Sequence, residues 1–432
     1  MTALAGAPPG SSEKAACDER MIKKVSIADL KLGMFIHDLN CGWMDHEFLR
    51  TSFMLRKESD LEKIQHSGIT AVYIDTVRGI DTHSNAPTQE EVHADLTARM
   101  LEAPQRVAPN APPPDARTSH QQELGFAKEI QREANKVIRS VLDDVRLGRQ
   151  IQVERLHPAV SAITGSILRN PGTLVSLNRI REGDTYTFQH SVSVCTLLVT
   201  FCRHLDLGTD IIHEAGVAGM LHDIGKMRVP DHILNKPGKL TDDEFEIMKA
   251  HVKLGLETLR QTPGISRTVI QVTGEHHERF EGSGYPFGMM GDEISQLGRM
   301  AAIVDVYDAI TSNRIYHRGM EPPAALTKLF EWSEHHFDPA LVQHFIHAIG
   351  IYPVGSLVRL ESRRLAVVVE QGAQGLLFPI VRVFYDIAKG RMLEPFDLDL
   401  WSPEGGGDAI QKNEDPDIWG VNPAKILTMD LA

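Results

Sequence analysis

A chain of 432 residues with 42% hydrophobic and 24% charged residues has an ordinary globular composition and is too long for one core, so two or three domains are expected. Its formal net charge of −13 argues against a general binder of duplex nucleic acid, though not against a small phosphate ligand in a local pocket. The four cysteines, Cys17, Cys41, Cys195 and Cys202, include no CxxC pair and read as reduced thiols.

Residues 1–20 are small and polar, are expected to be disordered, and lack the basic and apolar regions of a signal peptide. The most apolar stretch, "VSVCTLLVTF", is about half the ~20 residues of a membrane span, so a cytoplasmic protein without a span is expected. Residues 21–82 read as a small α+β unit: "SDLEKIQHSG" carries a capping box (Ser59 with Glu62) and stops at Gly68, and "ITAVYID" is a buried strand. In that unit Trp43 and Phe48 are assigned to core packing. Residues 83–118 contain six prolines and are expected to be a linker with one helical turn.

From Gln121 the texture becomes helical. Ala127, Ile130, Ala134, Val137, Val141 and Val145 recur at three- and four-residue steps, and similar patterns continue to Gly350, giving a helical domain over 119–352. Thr241 and Glu244 open one helix with a capping box; Asp338, Pro339 and Gly350 bound another. After Pro353, "SLVRLESRRLAVVVEQ" and "FPIVRVFYD" alternate as strands, so 353–432 is expected to be a β-rich segment and tail. The fold class is mainly α, with a small α+β unit before the helical domain and a short β-rich segment after it.

The helical block holds a sparse set of metal-capable residues: His190, His222, Asp223, His251, His276, His277 and Asp305. "AGMLHDIGK" ends an apolar helix with His222 and Asp223 and then turns at Gly225, which carries polar groups towards a core where unpaired ones are costly. Imidazole and carboxylate without thiolate favour iron, manganese or a similar ion over structural zinc. One aspartate can bridge two ions, and two ions ~3.5–4 Å apart can hold a bridging hydroxide and a phosphate oxygen together. Seven candidates suit two ions with open positions. Lys226, three residues past Asp223, is suited to balancing phosphate charge in a transition state.

In family order, "TYTFQHS", "MLHDIGKMRVPDHILNKPGKLTDDEF", "KAHVKLG", "EHHERFEGSGYP", "GRMAAIVDVYDAITSNRIY" and "HHFDPALV" resemble the HD-GYP family of HD phosphohydrolases. The N-terminal unit and linker resemble the domain of unknown function often found before it. The resemblance implies an all-helical HD-type domain around a multinuclear iron or manganese centre. It implies hydrolysis of cyclic di-GMP to linear pGpG, and on to GMP as an open question, by a metal-bridging hydroxide attacking phosphorus. It places the metal ligands at His190, His222, Asp223, His251, His276, His277 and Asp305, with Asp223 bridging and catalytic. Lys226, also catalytic, and Arg314 match phosphate-contacting residues. Gly284, Tyr285 and Pro286 match the substrate loop, and His317 stands where the family has an accessory cation.

Departures from the pattern shape the expectations. Tyr186 stands where some members have a glutamate that helps hold a third metal, so two ions are expected. Glu281 replaces the usual aspartate before "GSGYP", and Ile315 and His317 alter the stretch around Arg314. These changes motivate one alternative, a catalytically weak cyclic di-GMP sensor; a second, a hydrolase of another cyclic dinucleotide such as cyclic GMP-AMP, stays open because purine recognition depends on pocket shape. A homodimer or a protein partner through the N-terminal unit is compatible with the sequence, although no heptad pattern supports one.

Overall fold

The computed structural model of the protein describes residues 21–41, 52–66, 69–82, 85–101, 118–179, 186–238, 240–312, 319–333, 335–372, 375–403 and 407–429. The expectations for residues 1–20, Trp43, Phe48, Arg314, Ile315 and His317 lie outside them, as does the side chain of Tyr186. Contacts divide the chain into two units, residues 1–102 with Phe330–Trp332, and residues 103–329 with 333–432.

In the first unit, strands β1 (Ile22–Ser26), β2 (Phe35–Asp38), β3 (Phe53–Met54) and β4 (Ala71–Asp75) form an antiparallel sheet in the order β1-β4-β2-β3. The central strand β4 is the predicted "AVYID", with Val72, Tyr73 and Ile74 fully buried. Helix α1 (Glu58–His66) contributes Ile64 to a core with Val25, Met34, Ile36, Leu55, Val72 and Ile74. It begins two residues earlier than the capping box implies: the amides of Asp60 and Leu61 bond the Lys57 carbonyl, and Ser59 lies inside the first turn.

The expected linker over 83–118 is corrected in part. Residues Gln89–Leu101 form a 13-residue helix, α2. Thr88 and Glu91 bond each other's backbone amides at its start, and its apolar side chains Leu96 and Met100 are buried. The proline cluster further along lies outside the described residues.

The second unit is helical up to residue 349. Its helices are α3 (His120–Arg146), α4 (His157–Arg169), α5 (Pro171–Arg179), α6 (Tyr186–His204), α7 (Thr209–Leu221), α8 (Asp231–Leu234), α9 (Asp242–Arg260), α10 (Arg267–Glu275), α11 (Gln296–Thr311), α12 (Pro322–Trp332, its last three residues grouping with the first unit) and α13 (Pro339–Ile349). Helix α6 is apolar nearly all round and buried from His190 to Cys202, with α3, α4, α5, α7, α11 and α13 against it. Its Cys195 and Cys202 are buried thiols, and burial pushes Cys202 up to about 12. The capping box at Thr241 and Glu244 is present, and Asp338 caps α13.

The segment after Pro353 is a five-stranded antiparallel sheet, in the order β8-β7-β6-β5-β9. Its strands are β5 (Leu357–Leu360), β6 (Arg364–Glu370), β7 (Ile380–Asp386), β8 (Arg391–Asp399) and β9 (Ile410–Asn413). The turn helices α14 (Pro416–Trp419) and α15 (Pro423–Leu427) follow, and α15 helps cover one face. The two predicted strand stretches are β5–β6 and β7. No helix of the described residues is long and apolar enough to cross a membrane.

Candidate metal centre

Five elements bring the predicted ligands together. His190 comes from α6 and Asp305 from α11; His251 comes from α9. Helix α7 ends at Leu221 and is followed by His222, Asp223 and a 3-10 turn, Ile224–Arg228. Helix α10 ends at Glu275 and is followed by His276 and His277. Gly225 allows the turn to lie against α9: a Cβ there would meet the His251 carbonyl oxygen at 1.9 Å and the Gly255 amide nitrogen at 2.4 Å. The glycine in "HDIGK" thus sets the approach of Asp223 to His251.

All seven predicted ligands are buried, and they fall into two groups that could each hold an ion: Asp223, His251, His276 and His277; and His190, His222 and Asp305. Asp223 Oδ1 lies 3.3 Å from His251 Nε2 and 3.8 Å from His276 Nε2. Its Oδ2 lies 3.3 Å from His222 Nε2 and 3.5 Å from His190 Nε2. One carboxylate therefore turns one oxygen to each group, as a bridging ligand must. Asp305 Oδ1 is 3.0 Å from His190 Nε2, and its Oδ2 is 3.8 Å from His277 Nδ1.

The imidazoles are oriented from behind. His222 Nδ1 meets the Gly219 carbonyl at 2.8 Å, His251 Nδ1 the Met248 carbonyl at 2.8 Å, and His276 Nδ1 the Thr273 carbonyl at 2.7 Å. A carbonyl can only accept, so each Nδ1 carries the proton and each Nε2 presents a lone pair to the centre. The contact three residues back recurs because each of these side chains, within a helix or just past its end, leans back over the carbonyls of the preceding turn. His190 instead donates to Asp308 Oδ2 at 2.7 Å, and Asp308 also accepts from the Ser193 hydroxyl.

Electrostatics favours cations here. Burial works to raise Asp223, but Lys226, His222 and His190 hold it well below the ordinary carboxylate range. Burial opposes Asp305 likewise, and His190, His222 and His277 hold it low. Burial lowers His276 to about 4, and burial with His276 and His251 nearby holds His277 well below the ordinary histidine range. Two anionic carboxylates thus sit among imidazoles, of which burial keeps His276 and His277 uncharged at neutral pH. Asp223 Oδ1, His251 Nε2 and His276 Nε2 are buried there without hydrogen-bond partners, an arrangement that bound cations would satisfy.

The remaining predicted residues surround this centre. Lys226 donates to Asp223 Oδ2 from a half-buried position. Tyr285 stacks on His277, with ring centroids 4.7 Å apart and planes 27° from parallel, and its amide bonds the His277 carbonyl. Pro286 follows through a cis peptide. Gly284 packs against the backbone of the preceding turn, where a Cβ would fall 2.3 Å from Arg279 N and 2.5 Å from Glu278 Cα. Glu281 belongs to neither ligand group; it meets His336 Nδ1 at 3.1 Å and accepts from the Ser283 hydroxyl. Arg314 and His317 are outside the described residues.

Sequence reasoning missed three residues. Asp308 lies three positions beyond Asp305 on the same helix, a spacing that could have flagged it. Lys249, on α9, puts its ammonium 5.7 Å from the Tyr285 ring centroid. Glu278 immediately follows the histidine pair and is buried.

The family described as Domain of unknown function (DUF3391) matches residues 22–156, and the HD domain family matches residues 175–341. The cyclic di-GMP phosphodiesterase PA4108 of Pseudomonas aeruginosa is 40% identical over 413 residues, 95% of this chain and 97% of its own length. The chain belongs to the HD-GYP family. Two further relatives match a smaller share of the chain. The cyclic di-GMP phosphodiesterase response regulator RpfG of Xanthomonas campestris is 39% identical over 38% of this chain and 43% of its own length. The 3'3'-cGAMP-specific phosphodiesterase 1 of Vibrio cholerae is 37% identical over 34% of each chain. The HD domain is a metal-dependent phosphohydrolase domain, and the buried histidine–aspartate groups suit that dependence. The DUF3391 match runs into α3 and beyond, past the expected boundary at residue 82.

Proposed function

We infer that the chain is a metal-dependent phosphodiesterase that hydrolyses cyclic di-GMP to pGpG. The observation that carries the reading is Asp223, whose two oxygens are divided between two buried ligand groups. Two divalent ions, iron or manganese, would be held by His251, His276 and His277 on one side and His190, His222 and Asp305 on the other, with Asp223 between. When bound, such ions supply Lewis-acid polarisation of a phosphodiester and lower the pKa of water to about 7.

The chain's own residues then have distinct tasks. Asp308 and the three backbone carbonyls hold the imidazoles in the tautomer that faces inward. Lys226 can turn from Asp223 to a phosphate oxygen and offset charge that grows in the transition state. Arg314 and His317 would add cations from the following stretch, and Gly284, Tyr285 and Pro286 would border the nucleotide. Hydrolysis consumes one water: a P–O bond forms, the P–O3′ bond breaks, the 3′ oxygen takes a proton, and the phosphate stays on the 5′ side. The unit over residues 21–82 would serve as a regulatory or assembly module, and the cytoplasm as the compartment, where this messenger is made available to it.

A second reading, cleavage of a mixed cyclic dinucleotide, is favoured by the 3'3'-cGAMP-specific relatives. The test is product analysis with both cyclic dinucleotides on anaerobically purified protein, with its metal content measured in the same sample. Two metals per chain and pGpG formation, both reduced in Asp223→Ala, are expected. Metal-loaded protein that leaves cyclic di-GMP intact overturns the reading; binding without turnover would make it a sensor, and cleavage of the mixed substrate alone would select the second reading.

A further inference from the structure

Two buried glutamates frame the histidine pair in "EHHE", and neither is a predicted ligand. Glu278 Oε1 accepts from the Phe287 amide at 2.8 Å and Oε2 from the Met289 amide at 3.0 Å. Gly288 has φ +66°, and this left-handed step lets the amides on either side of it reach one carboxylate. The partners of Glu278 among the described residues are thus backbone amides rather than a basic side chain. Glu275 accepts from the amide of Ser295 at 3.0 Å and from its hydroxyl, and Ser295 caps α11, the helix that carries Asp305 and Asp308.

The two acids therefore govern different parts. Glu275 fastens the start of α11. Glu278 fastens the outgoing limb of the loop whose incoming limb holds Gly284 against the Glu278 backbone and Tyr285 against His277. Loosening residues 287–289 releases the limb that follows Tyr285 and Pro286, while leaving His277 and the other candidate ligands held by the elements that carry them.

We propose that Glu278 is a positioning residue for the phosphodiesterase reaction: its carboxylate shapes the loop so that Tyr285 and Lys249 border the bound dinucleotide beside the metal centre. The proposal rests on the phosphodiesterase reading above. Its signature is an effect on substrate affinity that is separate from metal binding.

The test uses the full-length, metal-loaded protein carrying Glu278→Gln. Glutamine keeps the volume but turns an NH₂ towards one of the loop amides, donor against donor. Losing that bond while burying the donors corresponds to about a tenfold rise in KM for cyclic di-GMP, with kcat and metal content near wild type. Gly288→Ala strains the same amide curl from the loop side and should raise KM in the same direction, which covers poor folding of the first variant. Combining Glu278→Gln with Tyr285→Leu should cost less than the sum of the two, because both act through one loop. Unchanged KM in both single variants overturns the proposal, as does loss of metal in proportion to loss of kcat. Calorimetric binding of cyclic di-GMP separates the two readings. If the wild type binds without turnover, the hydrolytic reading fails, yet Glu278→Gln must still weaken binding; if the wild type neither binds nor cleaves, both fall.

Discussion

Removing the carboxylate of Asp308 tests how far the metal centre depends on residues that do not reach it. Asp308 accepts from His190 Nδ1 at 2.7 Å and from the Ser193 hydroxyl, and all three residues are buried. In Asp308→Ala both donors lose this acceptor in a dry site, at about 1–3 kcal/mol for each group left unsatisfied. Only the His190 share bears on the metal. His190 would keep its place on α6 but lose the bond that fixes its tautomer, and losses of outer partners of this kind cost about 10- to 100-fold in metal affinity or activity. At ~1.36 kcal/mol per tenfold, that is about 1.4–2.7 kcal/mol. Asp308→Asn should fall near the lower end, because its amide oxygen can still accept from Nδ1 while the Ser193 hydroxyl rotates to accept from its NH₂. The assay is a competitive titration of iron or manganese against a chromophoric chelator, with turnover at saturating metal measured in parallel. Wild-type metal affinity in Asp308→Ala would refute the reasoning.

Further outcomes are expected. Lys226→Met should lower kcat by about 10²-fold at unchanged metal content, and a loss below about threefold in steady-state assays would remove Lys226 from the chemistry. Burial, aided by His344 and His347, lowers His204 to about 4. The unfolded chain therefore binds the proton first, so stability falls as pH drops from about 6.5 towards 4; denaturant unfolding of His204→Gln should show a flatter slope in that window. Arg382 is fully buried, bonds both oxygens of Asp397 and donates to the carbonyls of Ile426, Leu427 and Met429. Arg382→Met should destabilise the C-terminal sheet by about 3 kcal/mol, read as a lower denaturation midpoint with metal content unchanged.

The stretch "EHHERFEGSGYP" shows how local signals and tertiary facts divide. Its histidine pair could be picked out as ligands because imidazoles at a helix end have few other uses in a core. Its glycines could be picked out because a missing Cβ permits a close approach, and Gly284 makes one against Glu278 and Arg279. The glutamates were opaque. A buried acid and a surface acid look alike in sequence, and what distinguishes Glu278 is the set of amides that a loop nine to eleven residues later returns to it. Glu281 drew notice as a departure, and the structure pairs it with His336, more than fifty positions away, a partner no local pattern could name.

The same division holds for the whole chain. Periodicity and caps alone determined the long helices, with the start of α9 and both ends of α13 at the residues predicted for them, because these signals are carried within a few turns. Residue type and order alone picked out seven candidate metal ligands and the chain's kinship with a metal-dependent hydrolase. Tertiary structure decided the rest. It made α2 a helix inside a supposed linker, by burying Leu96 and Met100. It formed β8 and β9 from an acidic, proline-interrupted tail through antiparallel pairing with β7 and β5. It also divided the seven candidates into two buried groups, with the Asp223 carboxylate facing both, because five elements far apart in sequence pack around the same point.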